Sequence, residues 1–228
     1  MPIATKHLKT SAGASWVFVA IGLGLVGCAT PIREPANLDA HKQEIRDYVK
    51  SGTYAEQLKE VAAQANDWIE KRVARKSEGE QLVVVLDLDE TLFLNWSRID
   101  ASDFTYVRED WNRWVAEASA PAIGPVREVF RTARRNGVAV IFITGRQERQ
   151  RQVTEENLRR IDCADYDALI CAPDGLPASA AEFKVAQRQR IEAEGKTIIA
   201  NVGDQLSDLA GGHAERNFKL PNPFYLTE

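Results

Sequence analysis

The spacing of apolar residues changes several times along the 228-residue chain. Leu82-Val83-Val84-Val85-Leu86 is an unbroken apolar run, short and rich in β-branched side chains. That is the pattern of a parallel strand buried on both faces. Val138 to Ile143, Ala168 to Cys171 and Thr197 to Val202 repeat it, and Phe218 to Leu220 gives a short fifth strand. Between these runs the apolar positions recur every three or four residues, as on a helix. Leu58, Val61, Ala62, Ala65, Trp68, Ile69 and Val73 make one apolar face of a helix predicted over Thr53 to Lys76, preceded by another over Leu38 to Lys50. Further helices are expected over Val126 to Arg135, closed by Asn136-Gly137, over Glu148 to Arg160, and over Ser179 to Glu194, closed by Gly195. Five strands joined by helical crossovers predict an α/β fold with a doubly wound, Rossmann-like parallel sheet. Phe93 to Pro121 interrupts the alternation and is dense in aromatics: Phe93, Trp96, Phe104, Tyr106, Trp111 and Trp114. It reads as an inserted, mostly helical cap. Trp111 and Trp114, three apart on a helix, are expected to pack between cap and domain, with stacking of such aromatics on a nucleobase as the alternative.

The first strand runs straight into Asp87-Leu88-Asp89-Glu90-Thr91. Two carboxylates two residues apart at the end of a buried strand repel each other and lose hydration. The cost is several kcal/mol unless a cation or hydrogen bonds compensate. A hard divalent metal at the carboxyl end of the strand answers that cost, in the place where open α/β sheets hold their ligands. The other strands also end in polar residues: Thr144-Gly145-Arg146 after the second, and Gly203-Asp204 after the fourth with Asp208 a turn further on. Lys184 lies in a predicted amphipathic helix after a Pro/Gly-rich loop. If the strands are neighbours, these groups meet. Carboxylates, a metal, a hydroxyl, a lysine and glycine-flanked backbone N–H groups suit phosphoryl transfer, in which positioning and charge neutralisation do most of the catalysis.

These four pieces resemble the haloacid dehalogenase-like (HAD) phosphatase superfamily: DLDET at 87–91, Thr144 in ITGR, Lys184, and GDQLSD at 203–208. ITGRQERQRQVTEENL (143–158), GDQLSDL (203–209) and FKLPNPFY (218–225) resemble more narrowly its acid-phosphatase branch (class B, subfamily IIIB). That branch includes plant vegetative storage proteins and bacterial lipoprotein acid phosphatases. The resemblance implies an Mg²⁺-dependent acid phosphatase acting on small phosphomonoesters, nucleoside monophosphates among the candidates. By this likeness Asp87 is the nucleophile, and Asp89 protonates the leaving alcohol and then activates water. Mg²⁺ is held by the Asp87 carboxylate, the Asp89 backbone carbonyl and Asp204. Thr144, Gly145 and Lys184 bind phosphate oxygens. Asp208 contacts the metal through water or orients Lys184, and Thr91 supports the loop. Arg146 is expected to pair with a carboxylate, and His213 has no role. Leu94-Asn95 stands where the lipoprotein relatives often carry Asp-Asn, which weakens any transfer of their nucleotide preference. The same residues would serve phosphate transfer to an alcohol acceptor, and some plant relatives keep the fold as storage proteins without the nucleophile.

Composition excludes little: 44% apolar, 27% charged and a net charge of −4 are ordinary for a globular chain. No basic stripe interleaves with aromatics, so binding to a nucleic-acid duplex is not expected. The first 27 residues carry Lys6 and Lys9 and no acid, so their removal takes the net charge from −4 to −6. Ser15 to Gly27 is apolar but short for a membrane span. Leu25-Val26-Gly27-Cys28 resembles a bacterial lipoprotein signal, which implies cleavage after residue 27, lipidation of Cys28 and export to the cell envelope. Ala29, in place of Asp, leans toward the outer membrane facing the periplasm. The expected organisation is signal 1–27, tether 28–37, and phosphatase domain 38–228 with a helical extension at 38–79 and the cap at about 93–121. Oligomeric state is not legible. Cys163 and Cys171 could pair in an oxidising compartment or stand as two buried thiols. The scattered His7, His41 and His213 lack zinc-ligand spacing.

Overall fold

The computed structural model describes residues 35–175 and 179–227. The predicted signal 1–27, Cys28 and the tether up to residue 34 lie outside the described residues.

Five parallel strands form one sheet: β1 (Gln81–Leu86), β2 (Ala139–Gln147), β3 (Ala168–Ala172), β4 (Lys196–Gly203) and β5 (Asn217–Lys219), in the order β3-β2-β1-β4-β5. The chain leaves β1 toward β2 and β3, then crosses back to lay β4 on the other side of β1. The strand carrying Asp87 at its end is therefore central, flanked by β2 and β4. The apolar run of β1 divides by its period of two. Leu82, Val84 and Leu86 face one core together with Leu58, Ile69, Val126, Val129 and Leu158. Val83 and Val85 face a second core with Ile141, Phe183 and Ile191. Apolar contact on both sides explains why β1 lacks the alternation of a half-exposed strand.

Helices α1 (Leu38–Lys50) and α2 (Thr53–Val73) precede the sheet. The α2 helix ends three residues before the predicted Lys76. It buries Tyr54, Leu58, Ala62, Ala65 and Ile69. The cap segment holds α3 (Trp96–Ala101) and α4 (Arg108–Glu117). Pro125 opens α5 (Gly124–Arg135), and Gly137 follows it with φ of 65°, the left-handed step that ends many helices. The predicted 148–160 helix begins as a 3₁₀ turn and becomes α6 (Arg151–Arg160). Ser179 caps α7 (Ala180–Ala193) by accepting from the Glu182 N–H, and Glu182 reaches back to the Ser179 N–H. The α7 helix is not amphipathic in the ordinary sense: its buried positions are Phe183, Lys184, Arg188 and Ile191. Both cations find partners far along the chain, so sequence polarity does not report burial there. A short helix, α8 (Leu206–Leu209), follows β4. Among the described residues no helix is long and apolar enough to cross a membrane.

Candidate active site

At the carboxyl ends of β1, β2 and β4 lies a cavity of about 540 Å³. Asp87, Asp89, Thr144 and Gly145 line it, and so do Lys184, Asp204 and Asp208. These are seven of the eight residues the sequence assigned to the site inside the described region. The eighth, Thr91, lies beneath the floor, where its hydroxyl donates to Asp204 Oδ1 at 2.8 Å.

Each side chain is delivered by a local feature. Asp87 follows β1 directly, and its N–H is held by the Val202 carbonyl of β4 at 3.0 Å. The chain then folds back tightly, with the N–H groups of Thr91, Leu92 and Phe93 all donating to the Leu88 carbonyl. Glu90 makes this turn possible by taking a left-handed backbone, φ 56°, unusual for a residue with a side chain. At the end of β4, Gly203 leaves room for Asp208: a Cβ there would fall 2.4 Å from the Asp208 Cβ. Asp208 in turn accepts from the Gln205 N–H at 2.8 Å. Thr144 Oγ1 accepts from the Arg146 N–H at 3.1 Å, which leaves its own proton to donate into the cavity.

The electrostatics are those of a buried anionic cluster. Asp87, Asp204 and Asp208 each present a carboxylate oxygen within 4.8 Å of the others. Lys184 Nζ bridges two of them, donating to Asp87 Oδ1 at 2.6 Å and Asp208 Oδ1 at 2.5 Å. Burial would discharge this lysine, but the two carboxylates outweigh it and raise its pKa, so it stays an ammonium. Asp87 is pushed well above the usual carboxylate range, first by burial and then by Asp208 and Asp204, with Lys184 opposing. Asp204 is raised by burial and Asp208, although Asn222, Thr91 and Gln205 donate to it.

Asp89 sits in a different environment. Arg146 holds it with both arms of its fork, Nε to Oδ2 at 2.9 Å and Nη2 to Oδ1 at 2.7 Å. Asn95 Nδ2 adds a third donor at 3.0 Å. Burial alone would raise Asp89, but these partners outweigh it and set its carboxyl below the ordinary range. Arg146 also lies over the Phe93 ring, 4.7 Å from its centre.

Four carboxylates therefore face two cations, Lys184 and Arg146. A buried excess of hard oxygen ligands with uncompensated negative charge is what a divalent ion such as Mg²⁺ requires. The residues fit a metal at Asp87, Asp204 and Asp208. Of Asp89, the side chain is taken by Arg146 and Asn95, which leaves only its backbone carbonyl for that purpose.

Several participants were missed in the sequence or left without a role. Arg146 finds the expected carboxylate partner in Asp89. Asn95 ties Asp89 to the cap: its amide donates to Asp89 and Glu90, and its Oδ1 accepts from Trp114 Nε1 at 2.7 Å. Glu90 is fully buried and accepts from the Asn95 N–H and the Tyr225 hydroxyl. Burial, followed by the Asp89 charge, pushes it up to about 8. Gln205 and Asn222 hold Asp204. Glu90, Gln205 and Asn222 lie inside the motif stretches 87–91, 203–208 and 218–225, whereas Asn95 carries no such signal. Trp111 and Trp114 part ways, and packing on the core holds for only one of them. Trp114 packs on the core, whereas Trp111 lines the cavity beside Tyr106. His213 pairs with Glu192 at the surface, away from the site. Cys163 and Cys171 are free, buried thiols.

A family model described as "HAD superfamily, subfamily IIIB (Acid phosphatase)" matches residues 33–228. The chain is 34% identical over 188 residues to acid phosphatase 1 of Solanum lycopersicum, covering 79% of this chain and 72% of that protein. It is 28% identical over 198 residues to vegetative storage protein 1 of Arabidopsis thaliana, covering 84% and 71% respectively. Among solved structures, the class C acid phosphatase from Bacillus anthracis superposes with a TM-score of 0.69 at 21% identity, covering 82% of this chain and 86% of that one.

Proposed function

Because the chain belongs to the acid phosphatases of HAD subfamily IIIB, we propose that it hydrolyses small phosphomonoesters with Mg²⁺ through a covalent phosphate on Asp87. The observation that carries this reading is the bridge from Lys184 to Asp87 and Asp208 on the cavity floor. It holds a nucleophile, a cation for the phosphate and a metal-binding carboxylate in one place.

Mg²⁺ bound by Asp87, Asp204 and Asp208, with the Asp89 carbonyl, would neutralise phosphate charge and stabilise the charge that develops in the transition state. The chain's own groups do the rest. Asp87 is fixed by Lys184 on Oδ1, which leaves Oδ2 to attack phosphorus. Lys184 and the Thr144 hydroxyl receive phosphate oxygens and offset the repulsion between an anionic nucleophile and an anionic ester. Asp89, oriented by Arg146 and Asn95, gives a proton to the departing alkoxide and takes one from the water that hydrolyses the phosphoenzyme. The Arg146 pairing favours the ionised Asp89, the form that takes the proton from water.

The upper cavity bears on the leaving group. Phe104, Tyr106 and Trp111 from the cap and Phe224 and Tyr225 from the far end of the chain line it. Of six exposed large apolar residues among the described residues, Tyr106, Val107, Tyr225 and Leu226 lie on this rim. Such a wall favours an alcohol with a flat or apolar body, a nucleoside included, since ring stacking contributes roughly 1–3 kcal/mol. Export and lipid anchoring at Cys28, facing the periplasm from the outer membrane, belong to the same proposal and rest on residues 6–29 of the sequence alone.

The test is phosphate release from p-nitrophenyl phosphate in magnesium at acidic pH. Release should vanish with EDTA and in Asp87→Asn. Equal release by the Asn variant overturns the mechanism, and no release by the native chain favours a storage-type role like that named for the Arabidopsis relative. Added alcohols, with phosphoester product measured, separate hydrolysis from transfer.

A further inference from the structure

The cap meets the catalytic cavity at the loop between α3 and α4. Two consecutive residues there, Asp103 and Phe104, have left-handed backbones, with φ of 51° and 60°. Residues with side chains seldom adopt this region, and a bulky aromatic in it is an outlier. Two in succession persist only where the surroundings hold them. Part of that restraint is local: the Phe104 N–H donates to the Ile99 carbonyl at 3.0 Å and the Thr105 N–H to the Ser102 carbonyl at 2.9 Å.

A further restraint comes from α1, 61 residues earlier in the chain. Lys42 Nζ donates to Asp103 Oδ2 at 2.5 Å, and Arg46 Nη2 to Asp103 Oδ1 at 2.8 Å. Arg46 Nε donates to Asp100 Oδ1 at 2.7 Å, and its guanidinium lies 5.2 Å from the centre of the Phe104 ring. Both oxygens of Asp103 are thus held by one helix, and the same arginine covers the next side chain. Hydrogen bonds from Lys42 and Arg46 also keep the Asp103 carboxyl below its ordinary range. The α1 helix has no fully buried residue of its own; Ile45, Tyr48 and Val49 only lean on the core. Its polar face toward the cap adds to that attachment. Phe104 lines the cavity and meets Trp96 edge-on at 6.0 Å, and Trp96 rests on Phe224, another wall residue, at 5.1 Å.

We propose that α1 sets leaving-group preference: Lys42 and Arg46 clamp the 103–104 turn so that Phe104 stands as a wall against the apolar part of a bound phosphomonoester. The proposal rests on reading the cavity as a phosphomonoester site. Neither cation lines the cavity, so both are positioning residues. A ligand with no apolar body does not sense them, whereas one carrying a ring loses its wall when they are removed.

Non-hydrolysable phosphonates test this without depending on turnover. Benzylphosphonate and methylphosphonate are titrated calorimetrically into the full chain in magnesium. In Lys42→Met/Arg46→Met, benzylphosphonate binding should weaken roughly 3- to 10-fold, the worth of one aromatic contact, with methylphosphonate unchanged within about 2-fold. Asp103→Asn should lose part of the same preference from the other side of the clamp, and Arg46→Lys should restore part of it. Raising salt should lower the benzyl preference of the native chain and leave that of the double variant flat, because the clamp is built from partly exposed charges. An unchanged benzyl-to-methyl ratio in the double variant overturns the clamp, as does equal weakening of both ligands. If the native chain binds neither phosphonate, the phosphomonoester reading falls and the clamp with it; binding of both with an unaltered ratio refutes the clamp alone.

Discussion

Replacing Lys184 by Met removes a charge and nearly preserves volume, so it isolates the electrostatics of the floor. In the native chain one ammonium, 5% exposed, serves Asp87 and Asp208 at 2.6 and 2.5 Å. The variant leaves three buried carboxylates with oxygens within 4.8 Å of one another and no cation among them. Breaking a buried ion pair by deleting one partner costs about 3–5 kcal/mol. That is a large share of the roughly 5–15 kcal/mol that holds a domain together, but not all of it. With a urea dependence of about 2 kcal/mol per molar, the unfolding midpoint in EDTA should fall by roughly 2 M. The deficit should depend on pH in a definite sense. Asp87 has a folded pKa raised above its unfolded value, and losing Lys184 raises it further. A group of that kind contributes stability in acid, where it is protonated, and loses it as pH rises through the folded value. The variant should thus lie closest to the native chain near pH 4–5 and furthest from it at pH 8. Magnesium should recover more stability in the variant than in the native chain, because the ion then stands in for the missing charge; saturation at a hundredfold excess over Kd gives about 2.7 kcal/mol. A Met variant within about 1 kcal/mol of native in EDTA, with no larger response to magnesium, would refute the cluster of ionised carboxylates on which the site is built.

Arg146→Lys keeps a charge but cannot grip both oxygens of Asp89. It should cost about 1.5–3 kcal/mol in urea unfolding and reduce phosphate release by at least roughly tenfold, and an unaffected rate would show that Asp89 does not need orienting. Gly203→Ala places a Cβ 2.4 Å from the Asp208 Cβ and 2.5 Å from its Oδ2, so Asp208 must leave Lys184. The expected loss is about 1–3 kcal/mol of stability and on the order of a hundredfold in kcat, with KM less altered; a native kcat would mean that the Asp208–Lys184 contact is dispensable. Burial pushes both Cys163 and Cys171 up to about 11. At pH 8 the folded chain should therefore resist iodoacetamide and take up two equivalents in those positions only in urea, and fast alkylation of the native chain would contradict the packing.

The parts of this protein that could be read in advance are those fixed by burial along a single element. The strands declared themselves because a strand packed on both faces must be apolar throughout, and Asp87 was conspicuous as the first polar residue after such a run. Thr144 and Asp204 followed because parallel neighbours end on the same edge, so three strand ends meet once the order is β2-β1-β4. Lys184 was reachable only by family resemblance, since α7 buries two cations where an amphipathic helix would bury leucines. Nothing in the sequence pairs Arg146 with Asp89, 57 positions away, and Arg146 could as well have been a phosphate ligand.

The cap shows the limit most clearly. Trp111 and Trp114 share a helix and a spacing, and periodicity treats them alike. The cap, however, has two inner faces, one on the core and one on the cavity, and an apolar residue satisfies either. The choice is made by a polar contact, Trp114 Nε1 to Asn95, that no periodicity encodes. The α1 clamp is invisible for the same reason. Lys42 and Arg46 sit one turn apart among acids of their own helix, Asp39, Glu44 and Asp47, which offer the usual local partners. Their hydrogen-bond partners, Asp100 and Asp103, are set by where the cap lands, with Asp39 only 3.9 Å from Lys42. Asp87, Thr144 and Asp204 stand at or near the ends of strands and could be located by counting. The residues proposed to bear on the leaving group stand where two segments distant in sequence touch, and that meeting is a property of the tertiary structure alone.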